Sequence, residues 1–236
     1  MADVLPQIAH FQRVALDLLF PPYCVGCGKE GNYICGRCSR ELPYISPPVC
    51  TVCGRPLLPD NQCPGCIGQP TVIDGIRAPF LFDGIIRRAI HELKYNNLRA
   101  LVPPLARYLH EFLAENPLPG NVIVPVPIHP KRLRERGYNQ SSLLAHELGN
   151  LSGLYVIDDC LIRRTYIAPQ AKAATAFDRM KNIEGAFACA DARLKDKQVI
   201  LIDDVSTSGA TMTACAGALK AAGAAAVWGL TLALEL

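Results

Sequence analysis

The apolar residues of this chain change their spacing several times, and each change marks a new element. Val199, Ile200, Leu201 and Ile202 run without interruption into Asp203 and Asp204, and Val205 then leads into the small residues Ser206, Thr207, Ser208, Gly209, Ala210 and Thr211. Four consecutive aliphatic residues predict a strand covered on both faces, ended by the two acids. The alanine-rich stretch 210–222 that follows predicts a helix. Upstream, Ile85, Ile86, Ala89, Ile90 and Leu93 recur at helical spacing, with Arg87, Arg88, His91 and Lys94 on the other side, so 85–95 is an amphipathic helix. A second one is predicted over 98–115, begun or kinked near Pro103 and Pro104. Strands are predicted within 71–82 and over 121–126, 160–163, 185–190 and 225–234, with a helix over 141–151. Strands alternating with helices make an α/β fold, a parallel sheet flanked by helices.

Residues 21–70 have no such period. They are rich in Pro and Gly, and eight of the eleven cysteines fall here in four Cys-x-x-Cys pairs: Cys24/Cys27, Cys35/Cys38, Cys50/Cys53 and Cys63/Cys66. Glycine beside the thiolates permits the tight turn of a metal knuckle, and two knuckles complete a tetrahedral four-cysteine zinc site. Four knuckles therefore predict two structural Zn2+ ions. The short intervals favour sequential pairing of knuckles, with a cross-braced arrangement left open. Four thiolates leave the metal no open position, and so short a segment with few apolar residues needs such a staple. Cys160, Cys189 and Cys215 stand alone among small or apolar residues and read as core. The expected organisation is an amphipathic segment 1–20 that docks as a helix on the rest of the protein, on a partner or on a membrane surface, a double zinc ribbon 21–70, and an α/β domain 71–236.

With 236 residues, half of them apolar, the chain can bury a sizeable core. A formal charge of +3 does not by itself announce nucleic-acid binding, so any basic surface is local. No run of about 18 apolar residues is present to span a membrane, and 1–20 lacks the pattern of a signal peptide. A cytoplasmic location follows, where paired cysteines hold metal rather than form disulfides.

A strand, a tight turn and a helix N-terminus make an anion cradle, because the first N–H groups of the helix have no internal partners. Gly209 lets the backbone approach a phosphate, and Thr207, Ser208 and Thr211 add hydroxyls. The carboxylates of Asp203 and Asp204 repel phosphate, so they need sugar hydroxyls or Mg2+ as partners. A phosphorylated ribose satisfies both halves. The Gly-Lys-Ser/Thr of a Walker loop is missing. Asp158 and Asp159 precede a strand with no phosphate loop after it, and so imitate the acidic pair without its setting. After the 121–126 strand comes Lys131-Arg132-Leu133-Arg134-Glu135-Arg136, four cations against one carboxylate. It reads as a solvated loop, as a pyrophosphate-binding loop, or as a contact for a nucleic-acid backbone. Guanidinium forks suit either kind of phosphate.

The 199–211 segment closely resembles the phosphoribosyl diphosphate (PRPP) signature of the type I phosphoribosyltransferases. With the cysteine array, Leu93-Lys94-Tyr95, Arg134-Glu135-Arg136-Gly137-Tyr138-Asn139-Gln140, Gln170, Arg179, Asn182 and Gly185-Ala186-Phe187, the chain resembles the ComF family from about residue 21 onward. The resemblance implies a type I phosphoribosyltransferase-like sheet behind a double zinc ribbon. It implies that Asp203 and Asp204 meet the ribose hydroxyls with Mg2+, that Val205 to Thr211 hold the 5′-phosphate, and that Lys131, Arg132, Arg134 and Arg136 meet pyrophosphate. It also implies that 170–185, with Arg179 and Lys181, is a flexible lid, although Ala173-Ala174-Thr175-Ala176 departs from the family's leucine after the glutamine. Its further implication is a role with single-stranded DNA in natural transformation, beside a competence helicase. Two classes stay open: a PRPP-dependent transferase of unknown acceptor, and a non-catalytic PRPP- or nucleotide-sensing module that binds single-stranded DNA.

Overall fold

The computed structural model describes residues 21–57, 62, 63, 65, 66, 71–164 and 185–236. The expected N-terminal helix within 1–20 and the expected lid at 170–185, with Arg179 and Lys181, lie outside the described residues except for Gly185. Contacts divide the chain into two compact units, Met1–Leu42 and Pro43–Leu236.

In the smaller unit the first knuckle closes by a hydrogen bond from the Gly28 N–H to the Cys24 carbonyl (2.8 Å). Gly28 has a φ of 73°, a conformation that disfavours other residues. Helix α1 (Gly36–Ser39) then turns Cys38 inward, where it is buried.

The larger unit is built on a six-stranded parallel sheet. Its strands are β1 (Gly75–Arg77), β2 (Phe80–Leu81), β3 (Val122–Pro125), β4 (Tyr155–Val156), β7 (Gln198–Ser206) and β8 (Ala226–Leu234). The order is β1-β8-β7-β3-β4, with β2 also pairing along β8. Strands β5 (Leu161–Arg163) and β6 (Phe187–Cys189) form a separate antiparallel pair. The helices are α2 (Gly84–Tyr95), α3 (Val102–Glu115), α4 (Pro130–Arg136), α5 (Gln140–Ser152) and α6 (Ala210–Ala221).

The pleat divides the core. Val122, Val124, Val199 and Leu201 share one apolar cluster with Met212, Cys215, Ala216 and Leu219 of α6 and with Leu161 and Phe187 of the β5–β6 pair. Their alternates Ile123, Ile200 and Ile202 are equally buried and point to the opposite face. Helices α3 and α5 pack against each other, α3 also against β8 and α5 against β3 and β7. The expected parallel sheet with helical cover is thus present, and Cys160 and Cys215 are buried as expected while Cys189 is only half-buried.

Two local expectations change. The acids do not end their strand: β7 continues to Ser206, because β8 goes on pairing with it from Asp203↔Thr231 to Ser206↔Leu234. It is β3 that stops, at Pro125 opposite Ile202. The basic stretch is not a loop but the short helix α4. Pro130 starts it, the His129 ring accepts from the Lys131 N–H, and Gly137 ends it in a left-handed conformation (φ 80°). With Leu133 as its one aliphatic residue, and that one exposed, α4 carries no hydrophobic period to betray a helix.

Candidate functional site

The eight knuckle cysteines form two groups, Cys24/Cys27/Cys35/Cys38 and Cys50/Cys53/Cys63/Cys66, with all sulfurs of a group within 4.8 Å of one another. Pairing is therefore sequential. Sγ separations of 3.6 Å (Cys27 to Cys35) and 3.5 Å (Cys53 to Cys63) match the spacing of about 3.8 Å that tetrahedral Zn–S bonds impose. Burial pushes the Cys24 thiol up, but the N–H groups of Cys35, Cys27 and Gly26 outweigh it and bring the thiol down to about 6. That favours the thiolate a metal needs. Both groups fit structural zinc.

The second centre lies beyond the carboxyl ends of β3 and β7. From β3 the chain goes to β4 on one side, and later returns as β7 on the other. Ligands of open α/β sheets bind at such a switch point. A cavity of about 210 Å³ opens there, between Val126–Ile128 and Asp203–Val205.

Because β7 outruns β3, its two acids reach this cavity. Asp204 is 4 % exposed, so its charge needs partners. Lys94 Nζ, from the last turn of α2, lies 2.7 Å from Oδ1. Gln140 Nε2, from the first turn of α5, donates to Oδ2 at 2.9 Å. Asp203 accepts from Ser141 Oγ (2.8 Å) and from the Asp204 N–H (2.9 Å). Burial pushes the Asp203 carboxyl up to about 7, and repulsion from Asp204 adds to the rise against the pull of Lys94 and Ser141. Two carboxylates against one ammonium leave the floor short of positive charge or of hydroxyl donors. Gln140 Oε1 is buried beside them without a partner among the described residues.

The opposite wall is positive. Arg132 and Arg136, one helical turn apart on α4, line the cavity, as does Arg163 at the end of β5. Arg163 stacks 5.4 Å from the Phe187 ring, and its Nε is buried without a partner among the described residues. Burial lowers the pKa of Arg163, and repulsion from Arg132 lowers it further. Arg132 and Arg163, whose charges repel each other, both line the cavity. His129 titrates below its ordinary range, through burial first and then through Arg163, Arg134, Arg132 and Lys131.

The turn 206–209 completes the centre. Gly209 caps α6 with a φ of 75°, and Val205 and Thr211 line the cavity. Ser206 is buried, while Thr207 and Ser208 are exposed; the Ser208 hydroxyl accepts from the Ala210 N–H (3.4 Å).

Of the residues that the sequence nominates, Asp203, Asp204, Val205, Thr211, Arg132 and Arg136 meet in one cavity. Lys131 and Arg134 lie on α4 but outside it, and both are exposed. On the basic side of α2, Arg87 stands over the Phe82 ring at 5.9 Å, whereas Lys94 does not face outward but turns to Asp204. Gln140, Ser141 and Arg163 had no role assigned from sequence. Gln140 and Ser141 could have been found as the first turn after the Asn139 cap, at the same end as the acids; no spacing points to Arg163.

Residues 15–67 match the double zinc ribbon domain family. The chain is 28% identical over 222 residues to competence protein F of Haemophilus influenzae, covering 89% of this chain and 90% of that one. To competence protein ComFC of Bacillus subtilis it is 26% identical, covering 84% and 82%. To DNA utilization protein YhgH of Salmonella typhi it is 28% identical, covering 82% and 86%. Similar solved structures include an allosteric regulatory enzyme of purine biosynthesis (TM-score 0.39, 17% identity, 56% of this chain and 26% of that one). Another is a purine phosphoribosyltransferase of Pyrococcus horikoshii (TM-score 0.31, 18% identity, 57% and 86%). Scores this low carry no weight, so the reading of the site stands on this chain's own residues. The fold is a parallel sheet flanked by helices, preceded in the chain by a double zinc ribbon. Over more than four fifths of its length the chain is similar to competence protein F and competence protein ComFC. No helix among the described residues is long and apolar enough to cross a membrane.

The raised Asp203 carboxyl has a stability consequence. An unfolded aspartate titrates near ~4, so between there and about 7 the native state holds a proton that the unfolded state has lost. Stability from this group is therefore intact below ~4 and falls until pH passes about 7. Asp203→Asn removes the penalty, and should raise unfolding stability at pH 8 by on the order of 1 kcal/mol, discounted for partial exposure, while changing little near pH 4. Denaturant unfolding at the two pH values checks this. Equal effects at both would place the carboxylate in an ordinary solvated setting.

Proposed function

We propose that the cavity binds PRPP with Mg2+, and that the protein serves the handling of incoming DNA, as the names of its competence and DNA-utilization relatives indicate for them. The observation that carries the reading is the acidic pair, half-buried Asp203 and buried Asp204, on the part of β7 that outruns β3. It stands between a glycine-capped helix N-terminus and a facing pair of arginines. Few ligands offer a phosphate, a vicinal diol and a second anionic group in that sequence. The 5′-phosphate would lie on 206–211, where the unpaired N–H groups and the dipole of α6 favour an anion. The diol would donate to Asp203 and Asp204. Mg2+ would add the positive charge the floor lacks, taking carboxylate and substrate oxygens. Pyrophosphate would face Arg132, Arg136 and Arg163, fixed cations that stabilise charge on a leaving group. Lys94 orients Asp204 through their 2.7 Å contact. With a bound acceptor the same geometry supports phosphoribosyl transfer, and without one it supports PRPP sensing.

Isothermal titration with Mg2+ present tests the ligand. Wild type should bind PRPP. Asp204→Asn should weaken it by roughly ten- to a hundredfold, as expected for a lost charge-assisted hydrogen bond. Gly209→Val should remove ribose 5-phosphate binding as well. Wild-type protein that gives no heat with millimolar PRPP would end the proposal.

The arrangement of α4 supports a second use. Arg132 and Arg136 turn to the cavity, whereas Lys131 and Arg134 share an exposed face. That face suits the backbone of single-stranded DNA. Replacing both Lys131 and Arg134 by Ala should reduce the salt slope of binding by about 1.4, or about 0.7 for each phosphate contact, and leave PRPP affinity as it was. An unchanged slope would contradict it.

A further inference from the structure

The two four-cysteine sites have different surroundings. The first lies in the unit Met1–Leu42, the second in the unit that carries the sheet. The second knuckle is joined to β1 through its backbone. The Ile76 N–H donates to the Val52 carbonyl at 2.7 Å, and Arg77 Nη1 donates to the Thr51 carbonyl at 2.9 Å. Gly54 turns beneath with a φ of 74°, so close to the Ile76 carbonyl that a Cβ there would overlap it.

From this knuckle two arms reach the turn between β7 and α6. One is Ile76, whose Cδ1 lies 3.1 Å from where a Cβ on Gly209 would be. The other is Arg55. Its carbonyl accepts from the Cys50 N–H at 2.8 Å, which closes the knuckle. Its guanidinium crosses to the sheet, and Nη2 donates to the Thr207 carbonyl at 2.5 Å and to the Glu235 carbonyl at 3.4 Å. A trans peptide is planar, with its C=O and N–H directed oppositely. By holding the Thr207 carbonyl, Arg55 therefore fixes where the Ser208 N–H points. That N–H belongs to the turn assigned above to the 5′-phosphate, and an amide aimed before the anion arrives costs no reordering on binding.

We infer that Arg55 is a positioning residue through which the second four-cysteine site sets the phosphate turn. Metal at Cys50/Cys53/Cys63/Cys66 is then needed for tight phosphate binding, and metal at Cys24/Cys27/Cys35/Cys38 is not. The inference rests on the phosphate reading of 206–211 for its ligand, but not for its mechanical part. Four thiolates hold the knuckle in one shape only while a metal joins them. Once the metal is lost, the Cys50 to Arg55 turn relaxes and the guanidinium has no fixed origin.

The test uses the full-length zinc-loaded protein and the variants Arg55→Ala, Arg55→Lys, Cys63→Ser and Cys35→Ser. Each cysteine variant should lose one of two zinc ions by elemental analysis. Hydrogen exchange of peptides covering 205–212 needs no ligand. It should accelerate in Arg55→Ala and Cys63→Ser, remain at the wild-type rate in Cys35→Ser, and be partly restored in Arg55→Lys. Ribose 5-phosphate affinity, read by calorimetry, should fall about three- to tenfold in Arg55→Ala, as for one partly solvated charge-assisted hydrogen bond. It should fall further in Cys63→Ser and not at all in Cys35→Ser. Unchanged exchange in Arg55→Ala, with both zinc ions present, would overturn the coupling. So would equal effects from the two cysteine variants. Wild type that binds no ribose 5-phosphate would instead overturn the ligand reading, leaving the exchange data to decide the coupling.

Discussion

A buried carboxylate must be paired, and the pair of Asp204 with Lys94 is the interaction on which the rest of the centre depends. Lys94 ends α2, Gln140 begins α5 and Asp204 stands on β7, so one 5 %-exposed side chain draws three elements to the same point. Removing either partner of such a pair strands a charge in a poorly solvated place, typically at a cost of ~3–5 kcal/mol. The pair also sets the electrical state of the cavity. Burial and repulsion from Asp204 outweigh the pull of Lys94 and Ser141 on Asp203, and its carboxyl rises to about 7.

The remaining charges are kept apart by the sheet. Strand β3 ends four residues before β7, which clears the floor for the acids, and the chain leaving β3 becomes α4 with its arginines on the opposite wall. Arg163 reaches that wall from the β5–β6 pair. The acids and the helix N-terminus come from the one β7–α6 connection, the arginines from the segment after β3 and from β5, and the switch point brings them to one cavity. The second zinc knuckle buttresses the turn from outside through Arg55 and Ile76.

Much of this was legible in the residues. Unbroken apolar runs marked β3 and β7, helical spacing marked α2 and α3, and the four Cys-x-x-Cys pairs marked both metal sites. The acids, the glycine turn and the arginines of α4 could each be nominated from their residue types and order, but only the fold brings them to one cavity. What escaped has physical reasons. The continuation of β7 past Asp204 depends on pairing with β8, a partner more than twenty residues away. Helix α4 has too little apolar surface to show a period, and β4 is only two residues long. The burial of Asp204 and the roles of Gln140 and Arg163 are tertiary facts, set by elements that cross from elsewhere in the chain.

The central claim is that this cavity is a PRPP site with its acids on the sugar. A crystal structure of the protein with Mg2+ and PRPP tests it most directly. The account requires the ribose hydroxyls at Asp203 and Asp204, the 5′-phosphate on the turn 206–211, and pyrophosphate towards Arg132, Arg136 and Arg163. Ligand density on the α4 face away from the cavity, or a phosphate lying against the acids without a metal between them, would contradict it.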